Sequence, residues 1–323
     1  MRPCLTTFVA LTLGVALLGC ATSSADSDLR SLAPRPLAEV EARVSTDGRP
    51  SVALVLGGGG LRGFAHVGVL QALEDAGIRP DIVVGTSAGA VVGAAYASGL
   101  TASEVAAAAR GVQLSSLLDW TISRSGLLRG DSIAKWVDEI TAHVPVERFA
   151  MRFAAVATDL RTQAAVVLDS GPAGRVVQAS AAVPGINVPV TYPGGHLVDG
   201  GASSLVPVRV ARAMGADVVI AVDIYCGEAP ADSLHALSVV FRVMQTQSCR
   251  LAAFELAEAD VVITPAVGRL ELSDTAQHEQ AIEAGYAAAR AALSGVPLGR
   301  RVSSALDLSD PTAGAVPQLR SRP

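Results

Sequence analysis

The sequence predicts an α/β fold, a three-layer α/β/α sandwich built on a largely parallel central sheet. Three observations predict it. Short apolar runs at Ser51–Leu56, Ile82–Val84 and Asp217–Asp223 alternate with longer stretches of helical period. Those runs are apolar at successive positions, the mark of strands covered on both faces. Two of them enter glycine-rich turns that open helices, Gly57–Gly63 and Gly85–Gly89.

Composition sets the outer limits. The chain has 323 residues, 50% of them hydrophobic, enough for one large core or two small ones. Aromatic residues make up only 4%, and the apolar content is rich in Ala and Val, which suits thin, closely packed layers. The net charge is −5 and no Lys/Arg cluster is present, which argues against a nucleic-acid partner. A mean hydropathy of +0.42 raises the question of membrane segments.

The N-terminus answers part of that question. Arg2, the apolar run Phe8–Leu18 and then Gly19-Cys20 read as a signal peptide over residues 1–19, too short to span a bilayer. Leu17-Leu18-Gly19-Cys20 resembles a bacterial lipobox, in which Cys20 is lipidated and becomes the mature N-terminus. A plain signal peptide is the alternative. Lipidation would place the protein in the bacterial cell envelope, anchored to membrane, and Ala21 after the cysteine favours the outer membrane if the source is Gram-negative. Residues 20–50 carry the lipidated cysteine and a Ser-, Asp-, Arg- and Pro-containing tether.

The body is expected over residues 51–296. It opens with the strand Ser51–Leu56, the glycine loop, and a helix over Phe64–Ala76 closed by Gly77. A strand over 82–86 and a small-residue helix from Ala88 follow. The charge-free run Ile82–Ser103 is long enough for a membrane span, but its glycines and hydroxyls fit a buried strand and helix better. Glu104–Arg110 and Asp131–His143 read as helices, Phe153–Thr158 and Ala164–Leu168 as strands, and Arg175–Ala182 as a short helix. Val206–Met214 is helical, Asp217–Asp223 and Asp260–Thr264 are β-branched strands, and helices over 233–259 and 274–293 complete the body. Residues 297–323 are loop-like in composition and expected to be a mobile tail.

The chemistry centres on Gly85-Thr86-Ser87-Ala88-Gly89. A strand running through Gly-x-Ser-x-Gly into a helix is the setting of a nucleophile elbow, with Gly85 and Gly89 allowing the turn and Ser87 exposed at the helix N-terminus. An ordinary glycine-rich turn with a capping serine is the plainer reading. The loop Gly57–Gly60 offers backbone N–H groups that could hold an oxyanion. A phosphate loop fits poorly, because Leu61-Arg62-Gly63 stands where Gly-Lys-Ser/Thr is needed. Asp81, at about the spacing of a ribose-binding acid, begins its strand instead of ending it.

The base is the harder question. None of His66, His143, His196, His235 and His278 is compelling: only His235 and His278 follow Asp199, and both fall in helical stretches. His66 is expected near the glycine loop or in a polar core position. Asp199, at a strand end before Gly200-Gly201, can turn its carboxylate towards a neighbour; a surface Asp-Gly turn is the alternative.

These motifs, in this order, resemble the patatin-like phospholipases, serine lipid acyl hydrolases that use a Ser–Asp dyad without histidine. The resemblance covers about residues 51–295 and includes Ala157–Leu160, Gln178–Gly185 and Gly215–Asp223, with Gln178 where Arg is common. It implies Ser87 as nucleophile and Asp199 as base. It implies the N–H groups of Gly58, Gly59 and Gly60 as the oxyanion hole, with Arg62 supporting the loop, and no cofactor or metal. The implied substrate is a carboxylic ester of a lipid or phospholipid (phospholipase A, lysophospholipase or esterase), reached through an acyl-enzyme. The alternatives are a non-catalytic lipid-binding lipoprotein with the same fold, and protease or thioesterase action by the same dyad. Protein partners stay unassigned. Cys226 and Cys249 either pair or remain buried thiols. Ser115–Gly130, with Leu117, Leu118 and Trp120, is the expected lid.

Overall fold

The structure is a computed structural model describing residues 32–43, 48–227 and 235–295. Among these residues the strands are β1 (Arg35–Pro36), β2 (Val52–Leu56), β3 (Ile82–Thr86), β4 (Arg152–Asp159), β5 (Ala164–Leu168), β6 (Val190–Tyr192), β7 (Gly195–Asp199), β8 (Val218–Val222) and β9 (Val261–Ile263). They form one sheet in the order β1-β5-β4-β3-β2-β8-β9. The run β4-β3-β2-β8-β9 is parallel. β5 and β1 extend it antiparallel, and the hairpin β6–β7 adds to β4.

The helices are α1 (Phe64–Asp75), α2 (Ala88–Ala97), α3 (Ala102–Gly111), α4 (Asp131–Ile140), α5 (Ala173–Ser180), α6 (Val208–Ala213), α7 (Ala236–Leu256) and α8 (Thr275–Gly295). Alternation along each strand divides the core. Leu54, Leu56, Val83, Phe153 and Ile220 face a large layer containing α1 to α5 and α8. Ala53, Val55, Ile82, Val84 and Val219 face a smaller one containing α6 and part of α7. The sequence expectation of a sandwich with a mostly parallel sheet is met.

Local chemistry sets the helix ends. Thr101 and Glu104 form a reciprocal capping box at the start of α3. At the opposite end of the chain, α8 lies on α1 backbone to backbone: a Cβ on Gly68 would fall 1.9 Å from the Ile282 carbonyl oxygen. Among the described residues no helix is long and apolar enough to cross a membrane; Ile82–Ser103 is divided between β3, α2 and the start of α3.

Residues 32–43, assigned by sequence to the tether, lie on the body. Leu32 is 3% exposed, β1 pairs with the edge strand β5, Arg35 bonds Asp169, and Arg43 donates its N–H to the Met214 carbonyl. The polar composition masks this because only a few apolar residues, chiefly Leu32 and Val40, make the contact. The signal peptide, Cys20 and the tail at 297–323 lie outside the described residues.

Candidate active site

β3 delivers Ser87 at its C-terminal end. The serine takes φ 54°, ψ −121°, a conformation rare for a residue with a Cβ and one that holds its side chain clear of both β3 and α2. The turn is possible only because its flanks lack side chains: a Cβ on Gly85 would lie 2.5 Å from the Gly89 carbonyl oxygen, and one on Gly89 would lie 2.0 Å from that of Leu56. The Ser87 carbonyl accepts the N–H groups of Ala90 and Val91. Its own N–H donates to Ser180 Oγ at 3.0 Å, and that hydroxyl donates to the Val156 carbonyl at 2.6 Å. Ser180 is fully buried, so it serves as an internal peg joining elbow, α5 and β4.

Sheet register brings Asp199 to this serine. Along one edge of β4, Thr86 of β3 pairs with Val156, and the next residue, Ala157, pairs with Asp199 of β7. β3 and β7 therefore run head to head beside β4, and their C-terminal ends meet. The Ser87 side chain lies close enough to the Asp199 carboxylate to lower its pKa. Asp199 Oδ1 also accepts the Gly201 N–H at 2.7 Å, while its backbone is held by Ala182 and by the Thr158 hydroxyl. Burial pushes the Asp199 pKa up to about 6, against the opposing influence of Ser87 and Gly201.

The glycine loop packs directly against the elbow, and a Cβ on Gly58 would come within 3.2 Å of Ser87 Cβ. One expectation for this loop is corrected. The Gly58 N–H donates to the Leu205 carbonyl at 3.1 Å, so it is not available to an oxyanion. The Gly57 N–H before it is likewise taken, by the Val222 carbonyl at the end of β8. The N–H groups of Gly59 and Gly60, and those of Ala88 and Gly89 at the start of α2, donate to no group among the described residues. Arg62 lies over the Tyr225 ring at 5.3 Å, joining the loop to the segment after β8.

His66 is placed behind the loop. It is fully buried, and its Nε2–H donates to the Gly57 carbonyl at 2.8 Å. Burial lowers its pKa to about 4, more than the bond to Gly57 raises it, so the ring is neutral at physiological pH. Its Nδ1 has no partner. His143, His196 and His235 are exposed, and His278 stacks on Phe64 and bonds the Glu271 carbonyl. Asp81 accepts from Arg49 and the Val52 N–H, fastening β3 to β2 at the end opposite the site.

The segment 178–187 has a role that the sequence did not disclose. Gln178 donates to the Arg129 carbonyl and Asp131, Ser180 holds the elbow, Ala182 holds Asp199, and Ile186 accepts the N–H groups of Leu127 and Leu128. The expected lid is a hairpin seated on that segment, bridged between Trp120 and Leu128, and its Trp120 and Ile122 side chains face away from the body. Cys226 and Cys249 form a disulfide with Cα atoms 5.4 Å apart. Among the described residues no group of His, Cys, Asp and Glu side chains is placed to hold a metal ion.

Comparison with known proteins gives a consistent picture. The sequence profile described as patatin-like phospholipase matches residues 54–212. An uncharacterized NTE family protein of Mycobacterium tuberculosis is 38% identical over 190 residues, covering 58% of this chain and 52% of the relative. Patatin-like phospholipase domain-containing protein 6 of Mus musculus is 37% identical over 182 residues, covering 54% of this chain and 13% of the relative. The chain thus spans about half the length of the mycobacterial relative and a small part of the mouse one. Among solved structures, VipD from Legionella pneumophila shares the fold with a TM-score of 0.53 at 15% identity, over 81% of this chain and 71% of that one.

Proposed function

We propose, from the match of residues 54–212 to the patatin-like phospholipase profile, that the chain belongs to that family and is a serine hydrolase cleaving carboxylic esters of lipids. The observation that carries this reading is the placement of Ser87 beside the buried Asp199 carboxylate by strand register, next to unpartnered backbone N–H groups. Ser87 Oγ attacks the ester carbonyl while its proton passes to Asp199. The N–H groups of Gly59, Gly60 and Ala88 receive the oxyanion. Collapse breaks the ester bond, and the leaving alcohol takes the proton from Asp199. Water, deprotonated by the same carboxylate, then attacks the acyl-enzyme; the proton returns to Ser87 and the fatty acid leaves. Burial of Asp199 supports its part, since a carboxylate of pKa about 6 is a far better base than one of ordinary value.

Covalent labelling with a fluorophosphonate tests the proposal. A single adduct on Ser87, absent from Ser87→Ala and slowed at least tenfold in Asp199→Asn, is the expected result. Folded wild type that takes no label would favour a lipid-binding role instead, and an adduct unaffected by Asp199→Asn would place the base elsewhere. The proposal extends to the N-terminus, with Cys20 as a diacylated anchor in the cell envelope. The mass of the mature N-terminal peptide checks that part.

A further inference from the structure

We propose that the rim of this site is a docking surface for an anionic phospholipid bilayer, formed by the Trp120–Leu127 hairpin tip and the first half of α7. Its purpose rests on the reading that the substrate is a lipid, but the binding stands on separate observations. Trp120 is 71% exposed, Ile122 fully so, and Leu127 half. A second set of exposed apolar side chains lies on α7, Val239, Val240 and Val243 in its first half and Leu251 and Phe254 further along. Exposed side chains of this size mark an interaction site.

The hairpin is braced to hold its tip outward. The Thr121 N–H donates to Leu127, and the N–H groups of Leu127 and Leu128 donate to Ile186. The Asp119 carboxylate accepts the N–H groups of Gly130 and Ser132. α7 runs antiparallel to the parallel strands. Just past its C-terminal end, Asp260 donates its N–H to Val219 near the start of β8, whereas at mid-helix Ser248 bonds Gly201 beside the dyad. The turns before Ser248 therefore project beyond the catalytic end of the sheet, by roughly 18 Å at 1.5 Å per residue. The two features bracket Asp199. One is attached through the segment containing Ala182, which bonds the Asp199 N–H, and the other through Gly201, which bonds its carboxylate.

Charge selects the partner. The whole chain is acidic, yet the only charged residues between Trp120 and Gly130 are Arg124 and Arg129. Along α7 only Arg242 and Arg250 precede Glu255. The carboxylate next to Trp120 in the chain, Asp119, is occupied within the hairpin base. Tryptophan and aliphatic tips flanked by arginine and free of carboxylates match the interface of an anionic bilayer, with rings at head-group level and guanidinium groups on phosphate. A second copy of the chain fits worse, since an isologous contact would bring arginine onto arginine.

Trp120 fluorescence provides the test, because the chain has only one other tryptophan, Trp136. The full chain carrying Ser87→Ala, to prevent hydrolysis, and Trp136→Phe is mixed with phosphatidylethanolamine–phosphatidylglycerol vesicles bearing brominated acyl chains. The expected result is a blue shift and quenching of Trp120, with vesicle affinity about tenfold weaker in Arg124→Gln/Arg242→Gln. In the wild-type background, Trp120→Ser/Ile122→Ser should lose at least tenfold of its activity on vesicles while keeping activity on a soluble short-chain ester. Trp120 that stays unquenched on vesicles overturns the proposal, even where the chain floats with them through its N-terminus. A blue shift that depends on protein concentration without lipid assigns the surface to a second copy and overturns it too. Quenching without ester hydrolysis would instead retain the docking surface and remove the hydrolase reading.

Discussion

On the proposed mechanism the serine relies on a carboxylate as its only base, and burial would keep that carboxylate basic. With the Asp199 pKa raised to about 6, kcat/KM on a soluble ester should rise tenfold per pH unit up to about 6 and level off above it. His66, neutral above about 4, adds no further step at neutral pH. A pH profile with its acid limb near 4 would remove the raised carboxylate from the mechanism. The same shift acts on stability. Between an unfolded value near 3.8 and the folded value near 6, the native state binds the extra proton, so stability falls as pH rises through that window. Asp199→Asn should therefore be more stable than wild type at pH 7, by about 1–3 kcal/mol, with the difference gone below about pH 4. Urea titrations at the two pH values decide it. Ser180→Ala should have the opposite character. It leaves the Ser87 N–H and the Val156 carbonyl buried without their partner, costing about 1–3 kcal/mol, and frees the elbow to relax. A fall in kcat of about tenfold to a hundredfold with KM little changed is expected from steady-state kinetics. At this scale the sequence singled out Ser87 and Asp199 through their glycine neighbours, and strand register brings the two together. It could not disclose that the Gly58 N–H is spent on Leu205, because that partner is distant in sequence and ordinary in type.

Among the elements, legibility followed burial. Continuous apolar runs announced β2, β3 and β8, and the helical period announced α1, α7 and α8 within a few residues. Of the hairpin β6–β7 only the strand end at Asp199 was legible; β6 was not, since Thr191, Gly194 and His196 interrupt the pattern and the hairpin pairs with only three residues of β4. The segment after β8 shows how elements share the site. Ile224 lies under Gly59, where a Cβ would come within 2.8 Å of its side chain, and Tyr225 lies under Arg62. The next residue, Cys226, is bonded to Cys249 of α7, 23 residues on. Replacing both cysteines with serine should lower stability by about 3 kcal/mol on loop-closure grounds. It should also slow labelling of Ser87, because the floor of the glycine loop loses its attachment to α7. Thermal melts and labelling rates on the same samples separate the two effects. Lowered stability with an unchanged labelling rate would show that the disulfide braces the fold alone.

At the scale of the whole molecule, the order of motifs told which groups belong together but not how they meet. Ser87 and Asp199 come together because β7 enters the sheet antiparallel, in line with β3 along β4, and this depends on strand order that no local pattern carries. The beginning of the body is a property of the same kind. A polar composition assigned residues 20–50 to a tether, whereas the structure adds 32–43 to the folded unit, with Leu32 in the larger core layer and Val40 against the smaller one. β1 also occupies the outer edge of β5, which would otherwise present unpaired backbone groups. Arg152 reaches back to the carbonyls of Met214 and Glu41, so the segment is connected to the start of β4 as well. A chain beginning at residue 48 should therefore melt about 5–10 °C below one beginning at residue 32. That follows from roughly 2–3 kcal/mol of lost apolar burial and about 2–4 °C per kcal/mol for a domain of this size. The shorter chain should also aggregate more readily, through the uncovered edge of β5. Coincident melts would return residues 32–43 to the tether and leave the sheet edge to be protected by β5 itself.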